Sequence, residues 1–199
     1  MPKPITLEVF TDYVCPWCYL GDSRVKKLQH NYDIAVHRVH FPLHPDTPPE
    51  GRRREDFKTR NARMKGLMDA EGLPYGERTH TYNSRLAQEI GKWAETQAGG
   101  EAIHDRFFEA YFGDCRNIGD VEVILDIVKS VGLDEGEARA VLAERRFREA
   151  VDADWKKSRS YGITGVPTFV SQGQGVVGAQ PYEVLEQFVA KAGAQRRGD

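Results

Sequence analysis

Two of the three cysteines in this 199-residue chain, Cys15 and Cys18, stand three positions apart in the stretch VFTDYVCPWCYLGD, residues 9–22. A Cys-x-x-Cys pair serves either as a redox couple or as half of a metal site. A structural zinc site wants four ligands, commonly in two close pairs, and the remaining cysteine, Cys115, lies almost a hundred residues further on. His37, His40 and His44 would help only if the segment carrying them turned back onto the cysteines. The redox reading is the stronger, and no metal is expected.

The spacing also assigns roles. The apolar LEVF ahead of the pair reads as the end of a strand, and a helix starts at Cys15 or Pro16, since proline tolerates a first helical turn whose N–H groups are unpaired anyway. Cys15 then lies at a helix N-terminus, where backbone N–H groups and the helix dipole favour an anion. The thiolate is the nucleophile in disulfide exchange, so Cys15 is expected to attack, facing solvent at the head of the helix. Cys18, one turn inside, is expected to be buried, to hold its proton more tightly, and to resolve the mixed disulfide.

Elements able to position this pair are legible around it. Ile5, Leu7 and Val9 alternate with polar residues as a strand, residues 16–32 suit a helix ending near Asn31, and IAVHRVHF (34–41) is a second strand rich in β-branched residues. Strand, helix and strand in residues 5–41 make a parallel unit with a right-handed crossover. Four prolines and a glycine in residues 40–51 break the pattern, and from about 52 to 161 it is helical. There, Ile103, Phe107, Ala110 and Tyr111 form one apolar stripe, and Ile124, Ile127, Val128 and Val131 another. Asp120 and Asp134 are placed as N-caps. PTFVS (167–171) and GVVG (175–178) read as a hairpin, a last helix follows Pro181, and the tail AQRRGD is expected to fray. The sum is an α/β sheet of four strands in mixed directions, with a helical block in the middle of the chain.

Composition excludes several classes. Apolar residues make up 40% and charged residues 29%, with no apolar run near the roughly 18 residues a membrane span needs, so no membrane role is expected. A formal charge of -2 gives no broad basic field, so no nucleic acid is expected as partner, and Arg52-Arg53-Arg54 reads as a solvated helix start. MPKPITLEVF leaves no room for a cleavable apolar leader before the cysteines, which points to the cytoplasm, where thiols stay reduced and a cysteine pair is catalytic or redox-sensing before it is structural.

With CPWC followed by GITGVPTFV (162–170), the chain resembles the thioredoxin-fold redox proteins, and within them the FrnE-like branch of the DsbA family. The motifs DYVCPWCYLG, FPLHPDTPPEG, NSRLAQEIGKWA, GVPTFV and GAQP occur in that family's order over nearly the whole chain, with Gln88 where a histidine is expected. The fold the resemblance implies is α/β, a thioredoxin fold with an all-helical insertion domain: first half in 1–45, insertion in 46–161, second half in 162–199. It also implies that Pro167 is cis and that the backbone of Val166 pairs with an extended substrate. Pro16 and Trp17, between the cysteines, would face that substrate, or Trp17 would pack on the insertion. Asp12 either relays a proton to or from Cys18 through water or simply caps the helix or hydrogen-bonds the loop.

Kappa-class glutathione transferases and hydroxychromene-carboxylate isomerases look like relatives of the same architecture. Carried over, they suggest Val166, Ala179 and Gln180 as glutathione contacts, although they present a serine where this chain has Cys15. A cysteine there would form a mixed disulfide with glutathione, which favours redox work. The expectation is therefore a thiol-disulfide oxidoreductase acting on disulfide-containing proteins or small thiols, with no bound cofactor and glutathione as a co-substrate. A glutathione-dependent transferase or isomerase of an aromatic or polyketide-like molecule is the alternative. A homodimer is left open.

Overall fold

The structure, a computed structural model, describes residues 3–54 and 57–198, with only the backbone for residues 57–60. Its elements follow in the order β1 (Ile5–Thr11), α1 (Pro16–Asn31), β2 (Tyr32–His40), β3 (Arg52–Arg53), α2 (Phe57–Ala70), β4 (His80–Thr81), α3 (Arg85–Ala94) and α4 (Ala102–Phe112). They continue with α5 (Val121–Ser130), α6 (Glu135–Glu144), α7 (Arg148–Ser160), β5 (Thr168–Ser171), β6 (Gln174–Val177), α8 (Tyr182–Lys191) and β7 (Gln195–Arg196).

The main sheet runs β6-β5-β1-β2-β7, with β1 parallel to β2 and the other neighbours antiparallel. The β1-α1-β2 crossover is the expected parallel unit. The hairpin closes through Gln172 and Gly173, both at positive φ, as a two-residue turn matched to strand twist requires. Two expectations are corrected. Residues 195–197 of the tail do not fray, Asp199 lying outside the described residues: β7 adds a fifth strand beside β2, and Arg197 donates from its backbone N–H to Asn31 O at 2.8 Å and from Nε to Tyr32 O at 3.0 Å. Arg52-Arg53-Arg54 does not start a helix either, because Arg52 and Arg53 pair with Thr81 and His80 as a short ribbon.

Two apolar cores result. Leu7, Val9, Val25, Leu28, Ile34, Phe169, Leu185 and Val189 fill the space between the sheet, α1 and α8. The second is larger and joins the helical block to the turn between β1 and α1: Tyr13, Val14, Cys15, Cys18, Tyr19 and Leu20 pack with residues such as Met68, Ile90, Trp93, Phe107, Phe108 and Phe112. The expected stripes of α4 and α5 supply much of it, and Asp120 and Asp134 cap α5 and α6 by accepting from the N–H of Val123 and Glu137. α7 is tied to the sheet, since Asp154 accepts the backbone N–H of His40 at 2.9 Å and Ser158 Oγ donates to His40 O at 3.4 Å.

Candidate active site

The chemistry starts where β1 stops. Cys15 is extended (φ -96°, ψ 114°) and caps α1, with Pro16 as its first helical residue. Its N–H donates to Asp12 O at 3.0 Å, which closes the turn, and its Sγ accepts the N–H of Cys18 at 3.3 Å. The sulfur thus receives a backbone N–H at the N-terminus of α1. Both cysteines are free thiols, and Cys18 is 1% exposed. Burial pushes the Cys18 thiol well up, neighbouring Cys15 adds to this, and the Asp12 backbone and Thr11 side chain oppose it. Cys15 itself is recessed, at 3% exposure, where the sequence pointed to a solvent-facing sulfur: its surroundings form a walled cleft that the local sequence does not encode.

Val166 forms the opposite wall. Its carbonyl oxygen lies 3.5 Å from Cys15 Sγ, and its own N–H meets no acceptor among the described residues. The Val166–Pro167 peptide is cis. Pro167 is buried against Gly21 of α1, where a Cβ would come within 3.2 Å of Pro167 Cγ and 3.3 Å of Phe169 Cζ. Glycine there lets helix and proline loop approach closely.

The cleft measures about 610 Å³ and gathers Cys15, Pro16, Trp17 and Val166, with Val14, Leu43, Met64 and Tyr75 as further apolar walls. Trp17 is 40% exposed, so it offers its ring to the cleft and to solvent. His44, Arg54, Arg63 and Arg78 line the same space, and no carboxylate does among the described residues. Arg78 stacks its guanidinium over Tyr111 and Phe112, at 4.6 and 4.3 Å from the ring centres. Burial, then Arg54 and Arg52, hold the His44 imidazole below its ordinary range.

Asp12 lies behind the cysteines and is fully buried. Its carboxylate accepts from the N–H groups of Val14 (3.2 Å) and Leu43 (3.0 Å), so it braces the turn against the loop after β2. Burial raises its pKa from 3.8 to about 6, opposed by hydrogen bonds from Ser84, Leu43, Val14 and Gln88. Ala179 and Gln180 are not on the cleft: their carbonyls accept from Arg24 Nη1 at 2.9 and 2.7 Å, one helical turn past Gly21. Among the described residues no group of three or more His, Cys, Asp or Glu side chains converges as a metal would require. No helix among them is long and apolar enough to cross a membrane.

Sequence reasoning missed Arg24, Ser84 and the cleft walls Leu43, Met64, Tyr75 and Arg78. It noted Gln88 only as a departure from a pattern. None of these lies in a motif with the cysteines, and only the tertiary fold brings them together.

A family model described as the DSBA-like thioredoxin domain matches residues 6–190, so the chain belongs to that family. Among solved structures, a probable DsbA oxidoreductase from Streptomyces coelicolor superposes with a TM-score of 0.86 at 28% identity, covering 94% of this chain and 89% of that one. A 2-hydroxychromene-2-carboxylate isomerase does so with a TM-score of 0.76 at 16% identity, over 94% and 95% of the two chains. The cytosolic disulfide reductase DsbM from Pseudomonas aeruginosa, solved with GSH, gives 0.68 at 19% identity, over 94% and 100%. The last two likenesses establish the α/β thioredoxin-like fold and nothing finer.

Proposed function

We propose that this member of the DsbA-like thioredoxin domain family is a thiol-disulfide oxidoreductase that reduces protein or glutathione disulfides in the cytoplasm. One observation carries the reading: a helix-capping sulfur, supplied with a backbone N–H, faces the backbone of Val166 in a cleft with apolar and cationic walls. Cys15 as thiolate attacks one sulfur of the substrate disulfide. That S–S bond breaks, the other substrate sulfur leaves as a thiolate and takes up a proton, and a mixed disulfide remains on Cys15. Cys18 then gives its proton to Asp12 through water and attacks Cys15 Sγ. The second substrate thiolate leaves and the pair is oxidised to a Cys15–Cys18 disulfide.

With a protein disulfide as substrate, two equivalents of glutathione return the pair to the dithiol and leave as glutathione disulfide; with glutathione disulfide as substrate, a different dithiol must supply the two electrons. In a reducing compartment the dithiol is the resting form, which sets the direction as reduction. Val166 O and N–H would bond to an extended substrate segment as an added strand, with Pro16 and Trp17 giving apolar contact. Ala179 and Gln180 would act through the loop that Arg24 holds. The alternative of a glutathione-dependent isomerase fits less well, since an attacking cysteine captures the glutathione sulfur covalently.

Intact-mass measurement after incubation with glutathione disulfide tests this. Cys18→Ala should gain one glutathione on Cys15, the unsubstituted protein should lose two hydrogens and carry no adduct, and Cys15→Ala should be inert. Turnover of an aromatic substrate that needs glutathione and survives Cys18→Ala would overturn the reading.

A further inference from the structure

The groups lining the cleft divide by their place in the chain. Cys15, Pro16 and Trp17, with Gly165 and Val166, supply the reacting sulfur and the backbone that faces it. The cations all come from the stretch after β2: Arg54 just beyond β3, Arg63 on α2 and Arg78 in the loop before β4. The whole chain holds 30 Asp and Glu against 28 Lys and Arg, so an even draw on it would bring carboxylates as often as cations. Among the described residues, three arginines line the cleft and no Asp or Glu does.

These arginines are held in different ways. Arg78 is 3% exposed, its guanidinium lies over the rings of Tyr111 and Phe112, and Nη2 donates to Tyr75 Oη at 3.4 Å. Arg63 is exposed, next to Met64, which is buried and lines the same cleft. Arg54 donates from its backbone N–H to Thr79 O at 3.0 Å, which ties it to the segment bearing Arg78. A guanidinium keeps its proton at any working pH and presents a planar fork that matches a carboxylate. His44 in the same lining feels their field, since after burial it is Arg54 and Arg52 that oppose its protonation.

We propose that this cleft selects disulfides with carboxylates close to the reacting sulfur, foremost extended protein segments with Asp or Glu two or three residues from the cysteine. Arg63 and Arg78 are the specificity-determining residues. This deepens the reading above and rests on Cys15 being the attacking sulfur there. In an extended segment paired with Val166, two or three residues span about 7–10 Å, a reach that fits within a cleft of about 610 Å³. Matching the charge of the walls raises the encounter rate of such a segment and turns cationic ones away.

The test compares disulfide-linked peptides that differ only in carrying Asp, Asn or Lys two residues from the cysteine. At low salt kcat/KM should be about tenfold higher for Asp than for Asn and lowest for Lys, and about 0.5 M NaCl should remove most of that difference. Arg63→Gln should cut the Asp-to-Asn ratio about threefold, and Arg63→Lys should keep most of it. Arg63 is exposed, so this variant spares the core even if Arg78→Met fails to fold. An Asp-to-Asn ratio of one, or a ratio that Arg63→Gln leaves unmoved, overturns the proposal. Glutathione disulfide carries the same carboxylate chemistry: faster turnover of the Asp peptide supports a protein segment as its source, and the reverse order supports the small molecule. Peptides with serine for cysteine cannot exchange, so their dissociation constants read the cleft by itself. Tighter binding of the Asp form supports the proposal even if no peptide disulfide is reduced, and equal binding of the three forms overturns it even if all are.

Discussion

The sulfur of Cys15 lies 3.5 Å from the carbonyl oxygen of Val166, although 151 positions of chain separate the two residues. Their distance is set on one side by the helix cap and on the other by Pro167, which rests directly on the backbone of Gly21. The seat of the proline is therefore a control point for the site.

Gly21→Ala and Gly21→Val should separate its two effects. An alanine Cβ meets Pro167 Cγ at 3.2 Å, slightly tight, while gaining about 1 kcal/mol of helix propensity, so stability should change by less than about 1 kcal/mol. Valine adds two further carbons against Pro167 and Phe169 and should cost about 1–3 kcal/mol by overpacking. Disulfide exchange by Gly21→Val should slow with it, because the proline loop must move away from Cys15. Denaturant melts and exchange rates check both arms, and an exchange rate equal to the unsubstituted protein's would show that the loop position does not matter.

Asp12 makes stability depend on pH with a definite sign. Its pKa of about 6 in the folded chain lies above the ordinary 3.8, so the native state binds the proton more tightly than the unfolded one. Its contribution is full below about pH 4 and is lost as pH rises through 6, a change of about 3 kcal/mol. Asp12→Asn carries no such titration. Whatever constant offset the substitution brings, its stability relative to the unsubstituted protein should improve by about 2.5 kcal/mol between pH 4 and pH 7.5 in urea melts under reducing conditions. A constant difference across that range would contradict the burial argument.

What the sequence made legible was local. The helix start at Cys15, the length of α1, the hairpin after Pro167 and the caps at Asp120 and Asp134 each depend on a few adjacent residues, and each stands as read. The strand β7 was hidden because Gln195 and Arg196 carry no apolar alternation, and their pairing with Tyr32 and Asp33 is a tertiary event. The recess of Cys15 was hidden for the same reason: Leu43, Met64 and Tyr75 arrive from a loop, a helix and another loop. The bracing of Asp12 shows the same limit, because the N–H of Leu43, 31 positions away, meets its carboxylate only after the loop behind β2 folds back on the β1-α1 turn.

Trp17 should act on substrate and hardly at all on folding. With 40% of its surface exposed it loses little packing when truncated, so Trp17→Ala should cost less than about 1 kcal/mol of stability. Exposed aromatic anchors beside a reactive group contribute mainly to binding, and KM for an apolar peptide disulfide should rise about tenfold with kcat within about twofold. Steady-state kinetics on peptides with and without apolar residues beside the cysteine provides the check. An equal loss on both peptides would remove Trp17 from substrate contact.

Tyr13 and Gly91 offer a test of how the turn before Cys15 is anchored. The Tyr13 hydroxyl and His104 Nδ1 share a hydrogen bond of 2.6 Å, and a Cβ on Gly91 would lie 2.4 Å from that oxygen and 3.2 Å from His40 Nε2. Gly91→Ala therefore sets a gain of about 1 kcal/mol in helix propensity against an overlap that must push Tyr13 or α3 aside, with a net loss of about 1–3 kcal/mol. Tyr13→Phe alone leaves the buried His104 nitrogen without its hydrogen-bond partner, a loss of about 1–3 kcal/mol. In the double variant the overlapping oxygen is gone, so the alanine keeps its helical advantage and much of its penalty disappears. The two losses should fail to add by about 1–2 kcal/mol, which a double-mutant cycle in urea measures directly. Simple additivity would mean that α3 shifts to admit the methyl group, and that the hydroxyl of Tyr13 does not fix the spacing between the active-site turn and the helical block.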